Sequence, residues 1–224
     1  MEDKIFAFFK YLCNNICMDK KCSDIYKILS NIYGEPKCEL VYENIFQLLI
    51  SVILSAQCTD KRVNAVTKEL FKECKTPQDF INLGQEKLEQ KIYSCGFYHN
   101  KAKNIIALCK DLVEKYNEKI PPTLEELTKL AGVGRKTANV VLSEGFKKAG
   151  LAVDTHVFRV SHRLNLSSAK TADKTEIELK NLFDEELWGK THLYFVTFGR
   201  YVCKSQKPLC ENCPLKEFCT YNKK

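Results

Sequence analysis

The stretch Leu130-Ala131-Gly132-Val133-Gly134-Arg135-Lys136-Thr137-Ala138-Asn139-Val140-Val141-Leu142 places two glycines and a lysine at the start of a predicted helix. Upstream, Thr123 followed by Glu126 has capping-box spacing, so a short helix runs from about Leu124 to Leu130 and stops at Gly132. Downstream, Ala138, Val141 and Leu142 recur at helical spacing, and a second helix starts near Arg135. Gly132 and Gly134 can take the positive φ of a tight reversal and, lacking side chains, let another backbone approach closely. The product is a helix-hairpin-helix over about residues 124–146.

Such a hairpin leaves unpaired N–H groups at the N-terminus of its second helix, and these together with the helix dipole attract a phosphate. Lys136 lies on that first turn. An isolated G-x-G turn with a solvated lysine is usually only a connector. What changes the reading is Asp154, eighteen positions on, in Ala152-Val153-Asp154-Thr155-His156-Val157-Phe158-Arg159-Val160. Its plain role is N-cap of a helix containing Val157 to Leu164. A capping carboxylate is also held rigidly, and the intervening helix returns the chain toward the hairpin.

The 224 residues can bury one sizeable core or two small ones. Few glycines and prolines among long periodic apolar segments point to a mostly helical chain. Lys+Arg 35 against Asp+Glu 28 gives a net charge of +7, which favours a polyanionic partner. The N-terminus, Met1-Glu2-Asp3-Lys4, has an acidic flank and reads as no signal peptide, and the longest apolar run, Ile45 to Ala56, is too short for a bilayer. The expectation is therefore a cytoplasmic, reducing compartment and no membrane, with the twelve cysteines present as thiols or metal ligands.

The first sixteen or so residues, with Ile5, Phe6, Phe8, Phe9 and Leu12, read as an added helix, in which Cys13 and Cys17 are i, i+4 neighbours; with Cys22 they read as buried thiols. Ser23 to Ile32, closed by Gly34, is an amphipathic helix, and Ile45 to Ser55 is apolar nearly all round, as a central helix is. Gln57 follows as a helix-end residue, and Thr59 or Asp60 can cap the next helix. Thr76-Pro77 starts another. Phe97 precedes the helix Asn100 to Tyr116 and reads as a loop aromatic; Lys101 and Lys103 are exposed-lysine candidates for phosphates. Beyond the apolar helix Lys190 to Tyr201, Cys203, Cys210, Cys213 and Cys219 form a C-x6-C-x2-C-x5-C array. Four thiolates suit zinc or a [4Fe–4S] cluster, and chemistry alone leaves the metal open.

LAGVGRKTANVVL followed by VDTHVFRV resembles the core of the endonuclease III family, iron–sulfur DNA glycosylase/lyases of base-excision repair. LLISVILSAQCTD, CGFYHNKAKNII and the cysteine cluster extend the likeness over nearly all of the chain from about Ile25. The resemblance implies an all-α helix-hairpin-helix DNA glycosylase fold of two helical domains with a DNA-binding cleft between them. A helical barrel would span residues 38–148, and residues 1–37 plus 149–224 would form the iron–sulfur domain. The 6-2-5 spacing implies a [4Fe–4S] cluster on Cys203, Cys210, Cys213 and Cys219, and the loop Lys204 to Leu209 would bring Lys204 and Lys207 to phosphates. Gln57 would fill the gap left by an expelled nucleotide. Phe97 stands where the family usually has a wedging leucine. Gly132, Gly134 and Arg135 would meet the DNA backbone.

The implied catalytic pair is Lys136 and Asp154. The damaged base must be flipped out, because C1′ is inaccessible inside a duplex. A lysine amine displaces the base and leaves a Schiff base with the opened sugar; the imine acidifies the C2′ proton and β-elimination cuts the strand 3′ to the site. The amine must be unprotonated to attack, and the positive end of a helix dipole opposes the ammonium form. Asp154 would assist deprotonation and stabilise the sugar cation. The implied substrate is double-stranded DNA with an oxidised pyrimidine or abasic site, bound by a monomer. Adenine and mismatch glycosylase relatives generally lack this lysine, and the adenine enzymes carry a further C-terminal domain, whereas this sequence ends five residues after Cys219. A noncatalytic DNA-binding iron–sulfur module is the alternative of another class. Two departures stand out: Ala131 replaces a usual proline, and Thr128 stands where bacterial relatives often have a carboxylate.

Overall fold

The computed structural model describes residues 18–221, and among these all regular structure is helical. The readings for Ile5 to Cys17 lie outside the described residues. The helices are α1 Lys20–Tyr33, α2 Ile45–Ser55, α3 Asp60–Glu73, α4 Pro77–Leu83, α5 Gln85–Ile92, α6 Tyr98–Tyr116, α7 Leu124–Leu127, α8 Arg135–Val140, α9 Thr155–Arg163, α10 Ala172–Leu182 and α11 Trp188–Tyr201. Short 3₁₀ turns cover Glu185–Leu187 and Lys216–Phe218.

Two apolar cores share the chain. The first collects α2 to α8, with Leu48, Leu49, Ile50 and Leu54 of α2 fully buried at its centre. Fully burying each such side chain contributes roughly 1.5–3 kcal/mol. The polar start of α2 is satisfied locally: Asn44 Oδ1 accepts from Gln47 N–H, and Gln47 Oε1 accepts from Glu43 N–H, both at 2.9 Å. That explains how Gln47 is buried in an apolar helix. The second core joins Cys22, Ile25 and Leu29 of α1 to Val157, Val160, Leu179, Phe195, Phe198 and Leu215.

The chain passes between cores just before Asp154. Ala152 packs in the first core, whereas Leu151 and Val153 pack in the second. The hairpin helix loosens into a π-helical turn, Val141–Gly145, and the return passes so close that a Cβ at Gly150 would lie 2.5 Å from Asn139 O. Glycine is required there by contact, and the tight passage delivers Asp154 to the seam.

Local signals set most helix starts. Thr76 and Asp79 form a full capping box ahead of Pro77. At α3, Thr59 is the cap, with its Oγ1 accepting from Arg62 N–H at 3.3 Å. Asp60 is inside the helix instead, and its Oδ2 accepts from Arg200 Nη2 at 2.8 Å. The capping role read for Asp60 is thus corrected: a partner 140 residues away claims its carboxylate.

Candidate active site

The hairpin forms where its sequence indicated, with a shorter first helix. Thr123 Oγ1 accepts from Glu126 N–H at 3.3 Å and donates to Glu126 Oε2 at 2.7 Å. The α-helix ends at Leu127, and turns carry the chain through Leu130 to Gly132 at φ 77°. A Cβ on Gly132 would meet Asn104 Cβ at 2.9 Å, so both conformation and space select glycine. Leu130 and Val133, buried in the first core, fix the loop. The first bond of α8 runs from Ala138 N–H to Gly134 O at 2.9 Å, and Gly134 has no side chain to cap the turn, so that helix end faces outward.

Arg135 Nη2 lies 2.8 Å from Glu176 Oε1, and Lys180 Nζ reaches the same oxygen at 2.8 Å. Burial opposes ionisation of Glu176, but hydrogen bonds from Arg135 and Lys180 outweigh it and hold the carboxyl below its ordinary range. The Arg135 guanidinium therefore ties the hairpin to α10 while its side chain stays partly exposed.

Lys136 and Asp154 line one open cavity of about 670 Å³ together with Gln57, Thr155, His156 and Arg200. The same two side chains also line a tighter recess that holds Asp60, His192 and Arg200. Asp154 Oδ1 accepts from the N–H groups of His156 and Val157, each at 2.8 Å, so Asp154 is the cap of α9 and its Oδ2 is left for the cavity. Burial pushes its pKa up, yet the Val157 N–H bond and the nearby Lys136 hold it below the usual value. The result is a buried yet ionised carboxylate beside an amine.

His192 was not singled out from sequence, where it stands inside the apolar run of α11. It is buried, and its Nδ1 lies 2.8 Å from Ala152 O, an acceptor, so Nδ1 carries the proton. Burial pushes its pKa down, against the pull of Asp154. Arg200 closes this side, pairing with Glu39 and Asp60 at 2.8 Å each.

Gln57 and Phe97 stand on adjoining loops. Both have left-handed backbone, φ 54° and φ 58°, and Phe97 is 63% exposed. Lys101, read as a phosphate candidate, is buried instead and donates to the carbonyls of Leu54 and Ala56. Lys103 is exposed.

At the far end, two α9 arginines grip the cysteine loop. Arg159 Nε donates to Cys203 O at 2.9 Å; Arg163 Nη1 donates to Lys204 O at 2.7 Å and contacts Cys203 Sγ at 3.4 Å. Lys204 and Lys207 are exposed on the loop so held, with Lys207 at φ 48°. Burial pushes the pKa of Cys213 up, and Cys203, Cys219 and Cys210 lie near enough to add to that rise. Four thiols gathered on one loop offer the all-thiolate donor set that iron–sulfur clusters take, and cationic metal would offset their mutual repulsion.

The fold thus sets a hairpin helix end, an amine and an ionised carboxylate around one cleft, with a four-thiol loop held against α9. Residues 50–185 match the HhH-GPD superfamily of base excision DNA repair proteins, and residues 203–219 match the iron–sulfur binding domain of endonuclease III. Endonuclease III of Rickettsia prowazekii (strain Madrid E) is 49% identical over 197 residues, covering 88% of this chain and 93% of the relative. A solved non-covalent Endonuclease III–DNA complex is 47% identical with a TM-score of 0.85, covering 91% of this chain and 96% of that one. A trapped Endonuclease III–DNA covalent intermediate is also 47% identical, with a TM-score of 0.86 over 91% of this chain and 97% of that one. The chain belongs to the endonuclease III family, and it carries that family's [4Fe–4S] cluster.

Proposed function

We propose that this base-excision DNA glycosylase and AP lyase removes oxidised pyrimidines from duplex DNA through Lys136 and Asp154. The observation that carries the assignment is that both side chains line one cavity, open to the outside and large enough to receive an extruded nucleotide. Lys136 attacks C1′ while Asp154 Oδ2 faces the cation-like sugar; the departing base leaves an imine, and β-elimination follows. His192, neutral by burial, shields this pair from water and leaves Asp154 as the local anion.

Binding is assigned to the backbone of Gly132, Gly134 and Arg135, and to Lys204 and Lys207 on the cysteine loop. Gln57 and Phe97 are the residues that enter the opened stack. Cys203, Cys210, Cys213 and Cys219 are the cluster ligands, a role supported by the matched span 203–219. When bound, the cluster cross-links the loop into a fixed shape. Arg159 and Arg163 transmit that shape to α9, the helix that Asp154 caps.

We assign residues 38–148 to one domain and 1–37 with 149–224 to the other, a division supported, among the described residues 18–221, by the two cores. The protein is assigned as a monomer of the cytoplasm, in association with the nucleoid, an assignment that follows its bacterial relatives.

A panel of lesion duplexes, scored separately for base release and for strand cutting without alkali, tests the reading. The expected result is equal release and cutting on oxidised pyrimidines and neither on adenine mispairs. Release without cutting would make the protein a monofunctional glycosylase; binding without either would make it a noncatalytic module.

A further inference from the structure

Lys101 is a buried lysine that the reaction does not use. Its residue is 6% exposed, and it lines neither cavity beside Lys136. Its Nζ donates to Leu54 O at 2.8 Å and to Ala56 O at 2.7 Å. Those carbonyls end α2, where a helix leaves acceptors unpaired and its dipole is negative. The very next residue is Gln57, in left-handed backbone.

At its own main chain, Lys101 belongs to the first turn of α6. Its N–H bonds Phe97 O at 3.0 Å, and Phe97 is the left-handed residue that opens that helix. Between the two, Gly96 passes so near that its Cβ would stand 3.5 Å from Gln57 O. One side chain therefore spans from the loop of Phe97 to the loop of Gln57. The titratable groups facing the ammonium are the thiols of Cys58 and Cys95, each one or two residues from those same positions.

Burying an ammonium is unfavourable, and two neutral carbonyls compensate it less well than a carboxylate does. Left-handed non-glycine backbone is itself strained and persists only where surroundings enforce it. Both features meet at one place, between two exposed side chains.

We propose that Lys101 is a positioning residue for base extrusion: it holds Gln57 and Phe97 at a fixed separation so that the two enter the duplex as one unit. This rests on the reading that those residues enter the stack. Lys101 touches neither DNA nor the reacting atoms; it acts through the two loops it joins.

The test uses the full-length holoprotein with Lys101→Met and the milder Lys101→Gln, which keeps one donor. Three readouts are compared: base release from a paired oxidised pyrimidine, fluorescence of 2-aminopurine placed beside an abasic analogue, and cutting of a single-stranded abasic oligonucleotide. The last needs the amine but no wedge. Base release and the fluorescence rise should fall about tenfold or more, with single-strand cutting held within about twofold. Lys101→Arg, which can donate to both carbonyls, should recover part of the loss. Equal loss on paired and single-stranded substrates, or no loss on either, overturns the proposal.

Should Lys101→Met not fold, Lys101→Gln in a Gln57→Ala, Phe97→Ala background decides. Its effect should vanish there; an undiminished effect means a purely structural role and overturns the proposal. The two levels separate cleanly. If Gln57→Ala and Phe97→Ala leave release and fluorescence unchanged, the stack-entry reading fails. If they lower both and the Lys101 variants do not, only the positioning role fails.

Discussion

Asp154→Asn separates two jobs that one carboxyl performs. Asn keeps an oxygen where Oδ1 accepts the N–H groups of His156 and Val157 at 2.8 Å, and Asn caps helices about as well as Asp. The structural loss is then the charge at a helix N-terminus, about 0.3–1 kcal/mol. In a chain of this size that is a fall of roughly 1–4 °C in melting temperature. The chemical loss is much larger. A unit charge about 4 Å from a developing sugar cation, at an effective dielectric near 20, is worth about 4 kcal/mol, on the order of a thousandfold in rate. Asp154 is held below the usual carboxylate range, so this charge is present throughout neutral pH. The assay is single-turnover base release, set against anisotropy with a duplex carrying a tetrahydrofuran abasic analogue. Turnover should fall on the order of 10³-fold, with binding unchanged or tighter because an anion has left the cleft. Turnover within about tenfold of the native protein, or binding lost in proportion to it, refutes the argument.

Glu176→Gln unpairs Arg135 and Lys180, and with Arg135 partly solvated the loss should be roughly 1–3 kcal/mol at pH 7. Because Glu176 is depressed in the fold, its contribution is present above the ordinary carboxylate pKa and disappears as pH falls through the folded value. Calorimetry should show the native and Gln proteins converging in acid; identical melting at pH 7 would contradict the pairing. His192 is held neutral, so the unfolded chain takes up its proton first as pH drops below the ordinary value of 6.5, and stability declines from there. His192→Asn should flatten part of that decline in urea unfolding between pH 8 and pH 5, with His156 supplying the remainder; an unchanged slope would refute it. Gly132→Ala must strain a φ of 77° and press on Asn104, so it should destabilise by about 1–3 kcal/mol. Gly134→Ala meets nothing within 4 Å and should melt normally while weakening DNA binding, since the new methyl lies at the open helix end. Equal melting of the two alanine variants would remove the distinction.

What the sequence disclosed was decided by near neighbours. Thr123, Gly132 and Gly134 announce the hairpin within a dozen residues, and Asp154 two positions before its cap target announces α9. The even apolar run of α2 identified a central helix, and the cysteine spacing marked the span that matches an iron–sulfur binding domain. What escaped was decided by distant partners. Lys101 looked like a surface lysine because nothing nearby in sequence shows that it reaches back to Leu54 and Ala56. Asp60 looked like a cap because Arg200 lies 140 residues on. Nothing near Arg135 in sequence shows that its guanidinium pairs with Glu176, 41 residues away. His192 was hidden in an apolar helix, and only the fold brings it into the recess with Lys136 and Asp154. Hydrophobic period and capping chemistry report a residue's own element, whereas ion pairs across the seam depend on how the two cores meet.

Borohydride trapping on an abasic duplex tests the amine directly, because reduction converts the imine into a permanent protein–DNA bond. The native protein should give a single covalent adduct, and Lys136→Ala should give none while still binding the tetrahydrofuran duplex. An adduct that persists in Lys136→Ala would show that another amine does the chemistry, and the assignment of this cleft would be wrong.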